Sequence, residues 1–266
     1  MINTALFKRE AKASLKLLII FAAILSMYIT LIIGMFDPDM AQVLLQFETL
    51  MPELMSAFGM QGTADTLIGF MSSYLYEMFL LVLPMVYCII RANGLIAKYV
   101  EQGSMACLVS SPVKRTTIAT TQLSVLLGST TLLIGYCTAL EFIVANLSFP
   151  EALDSMELLR LNFGLLALHF FIGSFCFLCS CLFNETKYSL AFGAGIPTFM
   201  YVIKMLANMG GSLENAQYLT IFSLFRPEAL IQNQTNGWIS TAILLLGCVI
   251  FSGAGIWIFK KKDLCL

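Results

Sequence analysis

Apolar residues along the chain gather into six long runs: Leu17–Phe36, Leu67–Ile90, Ile118–Leu147, Leu161–Phe183, Tyr188–Met209 and Trp238–Phe259. Crossing ~30 Å of hydrocarbon at ~1.5 Å per residue takes about 20 residues, so each run predicts a membrane-spanning helix. The third run exceeds that need and predicts a tilted helix or one that begins in the interface. The ~10-residue alternating segments of a barrel are missing. The first run is too long for the ~15-residue core of a cleaved leader, and no small-x-small site follows it. The pattern predicts an all-α polytopic membrane protein with six transmembrane helices in a single transmembrane domain, residues 1–266.

The segments between the runs have characters of their own. Residues 1–16 place Ile2, Leu6 and Phe7 beside four bases, which suits a helix lying on an anionic membrane surface. Residues 37–66 form a long acidic loop in which Gln42–Phe58 has near-helical apolar spacing, predicting an interfacial helix. Residues 91–117 link spans two and three. Residues 210–237 carry apolar patches around Arg226-Pro227 and predict short helices that dip back into the interface.

Composition supports the pattern, with 59% hydrophobic and 12% charged residues. A soluble domain has about 25% charged residues. The net charge of −1 leaves no basic footprint for nucleic acid. The charges are sorted by position. Twelve bases (Lys8, Arg9, Lys12, Lys16, Arg91, Lys98, Lys114, Arg115, Lys187 and Lys260 to Lys262) fall on one side, against Arg160 and Arg226 on the other. That other side holds ten acids: Asp37, Asp39, Glu48, Glu53, Asp65, Glu151, Asp154, Glu157, Glu214 and Glu228. By the positive-inside rule both termini are cytoplasmic.

No G-x-x-x-x-G-K-[ST], H-E-x-x-H or G-x-S-x-G occurs, so no catalytic residue is predicted. Six of the eight cysteines lie in spans and none in an outer loop, so no structural disulfide is expected. Cys176-x-x-Cys179-x-Cys181 and the outer-loop Met40, Met51, Met55 and Met60 read as packing rather than metal ligands. The sequons at Asn146 and Asn233 carry meaning only in a eukaryotic secretory cell. Four ionisable residues, Glu77, Glu141, His169 and Lys204, fall inside spans, where a charge needs a partner or a watery cavity. Counting from the outer ends puts Glu141 and Lys204 at similar depth, which predicts that they pair. The same counting leaves Glu77 near mid-membrane with no base at its level, protonated or bonded to a hydroxyl.

Four stretches resemble type-2 ATP-binding-cassette (ABC) exporter permeases. Glu101-Gln-Gly103-Ser104 through Leu108, Pro112-Val113 and Arg115 is similar to their cytoplasmic motif before the third span. There an acid and Gly-[ST] precede leucines and Ser-x-Pro, although here Ser110-Ser111-Pro112 alters the usual spacing and Lys114 adds a charge. Leu6-Phe7-Lys8-Arg9-Glu10 resembles their opening helix, Phe259 to Leu264 their ending, and Tyr218 to Pro227 their loop before the sixth span. The resemblance covers the whole chain. It implies a half-transporter that moves substrate by alternating access, dimerises with itself or with a related permease, and binds two copies of a separate ABC ATPase. ATP and magnesium would sit on that partner and no cofactor on this chain. It also implies a multi-pass protein of a bacterial plasma (inner) membrane.

The residues fit that reading mechanically. Ala92–Gln102 predicts a short cytoplasmic coupling helix, with Leu95, Ile96, Tyr99 and Val100 on one side and Gly103 as its stop. With Glu101, Ser104, Pro112 and Arg115 it would dock on the ATPase, and the opening helix with Lys8, Arg9 and Glu10 lies on the same side. The plain alternative is an interfacial helix that only turns the chain. A second functional class is a self-contained ion-coupled secondary transporter or channel, with the four intramembrane ionisable residues as its relay. A third is a membrane enzyme or assembly subunit. Substrate identity is not legible.

Overall fold

The computed structural model describes residues 2–36, 50–59, 66–110 and 113–262, with the side chains of residues 106, 107, 109 and 211–214 excepted. Pro112, Asp37, Asp39, Glu48, Asp65, Met40, Met60, residues 42–49 of the expected interfacial helix, and Asp263-Leu264 lie outside the described residues. Within them the chain is helical, without strands. Six helices are long and apolar enough to cross a membrane: α1 (Thr4–Gly34), α2 (Leu67–Glu101), α3 (Arg115–Ser148), α4 (Ser155–Leu182), α5 (Thr186–Asn208) and α6 (Thr235–Lys261).

α1 joins the expected surface segment and the first span in one helix of 31 residues. No proline or glycine stands between Thr4 and Ile33 to interrupt it. Asn3 caps it, its Oδ1 accepting from the Leu6 N–H at 3.0 Å. α2 is composite: Leu67–Met71 is α-helical, Ser72–Leu80 is π-helical, and Leu81–Leu95 returns to α with Pro84 inside. The helix breaks at Ile96 and resumes as the single turn Ala97–Glu101. The expected helix Ala92–Gln102 is therefore split, and the Ala97 N–H donates to Ser180 Oγ of α4 at 2.9 Å. Gly103, at φ +70, then reverses the chain in the left-handed conformation that glycine adopts without strain, before the short helix Ser104–Val109.

α4 is the central helix and packs against α2, α3, α5 and α6. About two-thirds of its most apolar stretch is buried (67%), against 22–28% for α1, α5 and α6, which form the periphery. The outward faces of the peripheral helices carry large apolar side chains such as Ile19, Met27, Phe199, Leu246 and Val249. That is the surface a bundle immersed in hydrocarbon presents.

An even number of crossings brings both chain ends to one end of the bundle, the terminal end. There the Asn3 N–H donates to Thr121 Oγ1 (2.9 Å) and Arg115 donates to the Lys262 carbonyl (2.7 Å). At the opposite, far end, the segment between α5 and α6 folds into two 3₁₀ turns, Gly211–Leu219 and Ile221–Leu224, and the short helix Pro227–Ile231. Phe222, Phe225 and Leu230 anchor it in the core. The short helix Pro52–Ala57, from the loop between α1 and α2, packs on α5.

Candidate functional site

The π-helical turn of α2 positions the polar centre of the far half. A π turn shifts its side chains relative to an α-helix and recurs at functional sites. Here it sends the adjacent Tyr76 and Glu77 to different helices. Tyr76, fully buried, donates its hydroxyl proton to Glu141 Oε2 of α3 at 2.7 Å. Asn162 Nδ2 of α4 donates to the same oxygen at 2.9 Å and also approaches Tyr76 Oη (2.6 Å) and the Leu158 carbonyl (3.2 Å). Glu141 Oε1 and Asn162 Oδ1 are buried without hydrogen-bond partners.

Glu77 forms an ion pair with Lys204 of α5, the side chains 17% and 11% exposed. The expected Glu141–Lys204 pair is therefore not formed, and Glu77 does meet a base. Counting along separate spans measures depth but not direction around the helix. α5 packs on α2 and α4, and Glu141 is already enclosed by Tyr76 and Asn162 of those same two helices. Gly59 also presses on the pair: its φ is +73, and a Cβ there would stand 2.9 Å from Glu77 Oε2. Ser56 Oγ donates to the Asn208 carbonyl and Asn208 Nδ2 to the Ala57 carbonyl (3.5 Å), seating Pro52–Ala57 over α5.

Glu77 lies between two far-end cavities. One of about 540 Å³ is lined by Lys204, Asn208, Gln217, Tyr218, Phe222 and Arg226, among others. The other, about 350 Å³, shares Gly59, Glu77 and Arg226 with it. Together they make a polar vestibule around the ion pair. His169, fully buried in α4, is held by backbone, with Nδ1 2.8 Å from the Leu165 carbonyl and Nε2 3.2 Å from the Leu81 carbonyl. A neutral ring donates to one of the two. Leu81 follows directly on the π turn, next to Leu80, whose carbonyl Pro84 has no N–H to meet.

At the terminal end the structure brings together the opening helix and the loop after span two. Glu10, only 3% exposed, accepts from the Tyr99 hydroxyl and lies 3.7 Å from Arg91. Arg9 stacks over the Tyr99 ring at 5.7 Å, and Ser104 Oγ donates to the Tyr99 carbonyl at 3.2 Å. Leu95, expected among the docking residues, is buried in this chain's own core together with Ile96 and Val100. An apolar stripe in sequence does not say which neighbour it faces. The exposed side of the turn is Lys98, Glu101, Gln102 and Gly103, with Lys8 and Arg9 exposed on α1. The sequence did offer a signal for this cluster: Glu10 is the one acid among the bases of the opening segment, and Arg91 stands where span two ends.

Lys262 closes the terminal end. Its Nζ donates to the carbonyls of Cys181 and Phe183, both at 2.8 Å, so it caps the C-terminus of α4. Burial pushes its ammonium pKa down to about 8. Among the described residues no group of three or more His, Cys, Asp or Glu is placed to hold a metal ion. Cys176 Sγ contacts the Gly193 carbonyl at 3.1 Å, a packing contact between α4 and α5.

Residues 5–264 match the family described as ABC-2 family transporter protein. The chain belongs to the ABC-2 family. Among curated proteins none matches its sequence. An ABC-2 protein is the membrane permease of an ABC transporter, and membership implies a separate ATPase partner. The missing nucleotide-binding motif is in keeping with that division of labour. For this ABC-2 chain the opening helix and the turn before α3 form one bonded unit, and the far vestibule is built by α2, α5 and the two loops above them.

Proposed function

We propose that this chain is the permease half of a bacterial exporter whose ATPase subunits dock at the terminal end. The observation that carries the reading is the Glu10–Tyr99–Arg91 cluster. It ties the exposed turn Lys98–Gly103, the end of α2, to Glu10 of α1, so a push on that turn reaches two spanning helices at once. The terminal end is the cytoplasmic one, because it carries the twelve bases. Two such chains, identical or related, and two ATPases make the working unit, with ATP and magnesium on the ATPases. Nucleotide-driven closure rocks the helices and reverses access to the path. At the far end the Glu77–Lys204 pair joins α2 to α5 beside the polar vestibule, which serves as the exit. Lys98, Glu101, Gln102 and Gly103 are the docking surface, while Leu95 and Tyr99 position it from behind. Ser104 and Arg115 tie the same turn and the start of α3 to their neighbours.

An ion-coupled carrier has less support, since Glu77 is paired with Lys204 and His169 is held by backbone carbonyls. The test is co-expression with a candidate Walker-motif ABC ATPase from the same cell. The two should co-purify in a 2:2 complex, and the permease alone should hydrolyse no nucleotide. Replacing Glu101 or Lys98 with alanine should weaken the complex. A central interface anchor is worth about 2 kcal/mol, or roughly 30-fold in affinity. Nucleotide-free substrate flux through the lone chain in proteoliposomes would overturn the reading.

A further inference from the structure

A groove of about 590 Å³ runs between α3 and α4 in the far half of the bundle. Gly135, Ala139, Thr131 and Thr138 form its floor on α3, and Leu159, Phe163 and Leu166 wall it on α4. Beyond its own stretch of helix, no described atom lies within 4 Å of where a Cβ on Gly135 would stand, so the floor is open. Leu132, Ile143, Leu159 and Phe163 around it are exposed on the outer surface of the bundle, so the groove opens sideways to the membrane.

Its base is not apolar. Asn162 lines the groove, is 4% exposed, and has no partner for Oδ1. One hydrogen bond behind it lies Glu141, fully buried, with Oε1 also unpartnered. Only neutral donors, Tyr76 and Asn162, reach that carboxyl group, and no lysine or arginine among the described residues is paired with it. Buried polar groups are normally satisfied, so two adjacent orphan acceptors beside an open apolar groove call for an explanation. Asn162 is seven residues into α4, about 10 Å from the far end, the depth of a headgroup-proximal amphiphile.

We propose that this groove binds a cationic amphiphile of drug-like size, its apolar body lying between α3 and α4 and its ammonium group donating to Asn162, with the Glu141 carboxyl group one hydrogen bond behind supplying the opposite charge. The volume falls within the range of small-molecule sites, and the mix of apolar walls with a few convergent polar atoms is their usual chemistry. A lipid chain alone leaves both oxygens unanswered. A helix from a second copy could offer hydroxyl donors but no charge, because the membrane-facing stretches 18–34, 188–203 and 238–259 contain no lysine or arginine.

The site is independent of the ATPase and is tested on the purified chain in phosphatidylcholine nanodiscs. The probe is a long-chain primary amine carrying a diazirine, compared with the alcohol of the same chain, and labelled peptides are mapped by mass spectrometry. The amine should label residues 131–142 and 155–166, roughly tenfold more than the alcohol, as befits a charge-assisted hydrogen bond. Gly135→Leu, which projects into open space, should abolish labelling by both probes. Glu141→Gln keeps an acceptor for Tyr76 and Asn162 and should reduce amine labelling to the level of the alcohol. If that variant does not insert, the amine preference of the parent and its loss in Gly135→Leu decide the matter. Equal labelling by amine and alcohol, no labelling of these segments, or an unchanged preference in Glu141→Gln would each overturn the proposal. So would exclusion of the probe together with cross-linking of two copies through a cysteine at position 135.

Discussion

Replacing Lys204 with methionine keeps the length of the side chain and removes the ammonium group. Glu77 is then left with its side chain 17% exposed and without its cation. Breaking a buried ion pair from one side costs about 3–5 kcal/mol, most of it the price of the stranded charge. The polar cavity beside the pair admits water, so the low end, about 3 kcal/mol, is expected. Glu77→Gln strands a lysine whose long stem can swing toward the vestibule, and about 2 kcal/mol follows. The double variant strands neither charge and should lose about 2 kcal/mol in all, leaving a coupling energy of roughly 3 kcal/mol. Unfolding by dodecyl sulfate in mixed micelles, followed by circular dichroism, measures all three. A sum that equals the double variant would refute the pair. Lys204→Met combined with Glu141→Gln should instead be additive, because those two residues do not meet.

Three further outcomes are expected. At the terminal end Glu10→Ala strands the buried Arg91 and should cost about 3 kcal/mol, whereas Tyr99→Phe removes one hydrogen bond to a charged group and should cost about 1.5 kcal/mol. Equal losses in the same unfolding assay would mean that the cluster is not organised around Glu10. For orientation, a cysteine replacing Glu151, in a cysteine-free background, should react with an impermeant reagent on intact cells, and one at Lys187 should not; the reverse pattern would invert the protein. For Lys262, the folded state lowers the ammonium pKa from 10.5 to about 8, so between those values the unfolded chain holds more protons and stability rises with pH. The difference in melting temperature between the parent and Lys262→Met should therefore shift in favour of the parent from pH 8 to pH 10.5, and a flat difference would contradict the assignment.

The membrane class and the number of membrane-length helices were legible along the chain. They rest on a local quantity, the length of an apolar run against the thickness of hydrocarbon. Gly103 was legible for the same reason, since a helix stop is decided by the residue that must take a positive φ. What failed was direction. Leu95 belongs to an apolar face, yet whether that face meets a partner or the chain's own core depends on where α1 and α4 stand. Glu141 and Lys204 share a depth, yet Lys204 turns to Glu77, because the π turn of α2 and the packing of α5 set the angle around the axis. Neither the π turn nor the Ser180 bond that breaks α2 at Ile96 has a signature in local propensity. The Ser180 bond joins two helices far apart in sequence. Depth along a helix is a one-dimensional property and can be counted from residue to residue. Which side chains meet across the bundle is settled only when all six helices pack, and the Glu10–Tyr99 cluster, the vestibule and the groove under Asn162 are products of that packing alone.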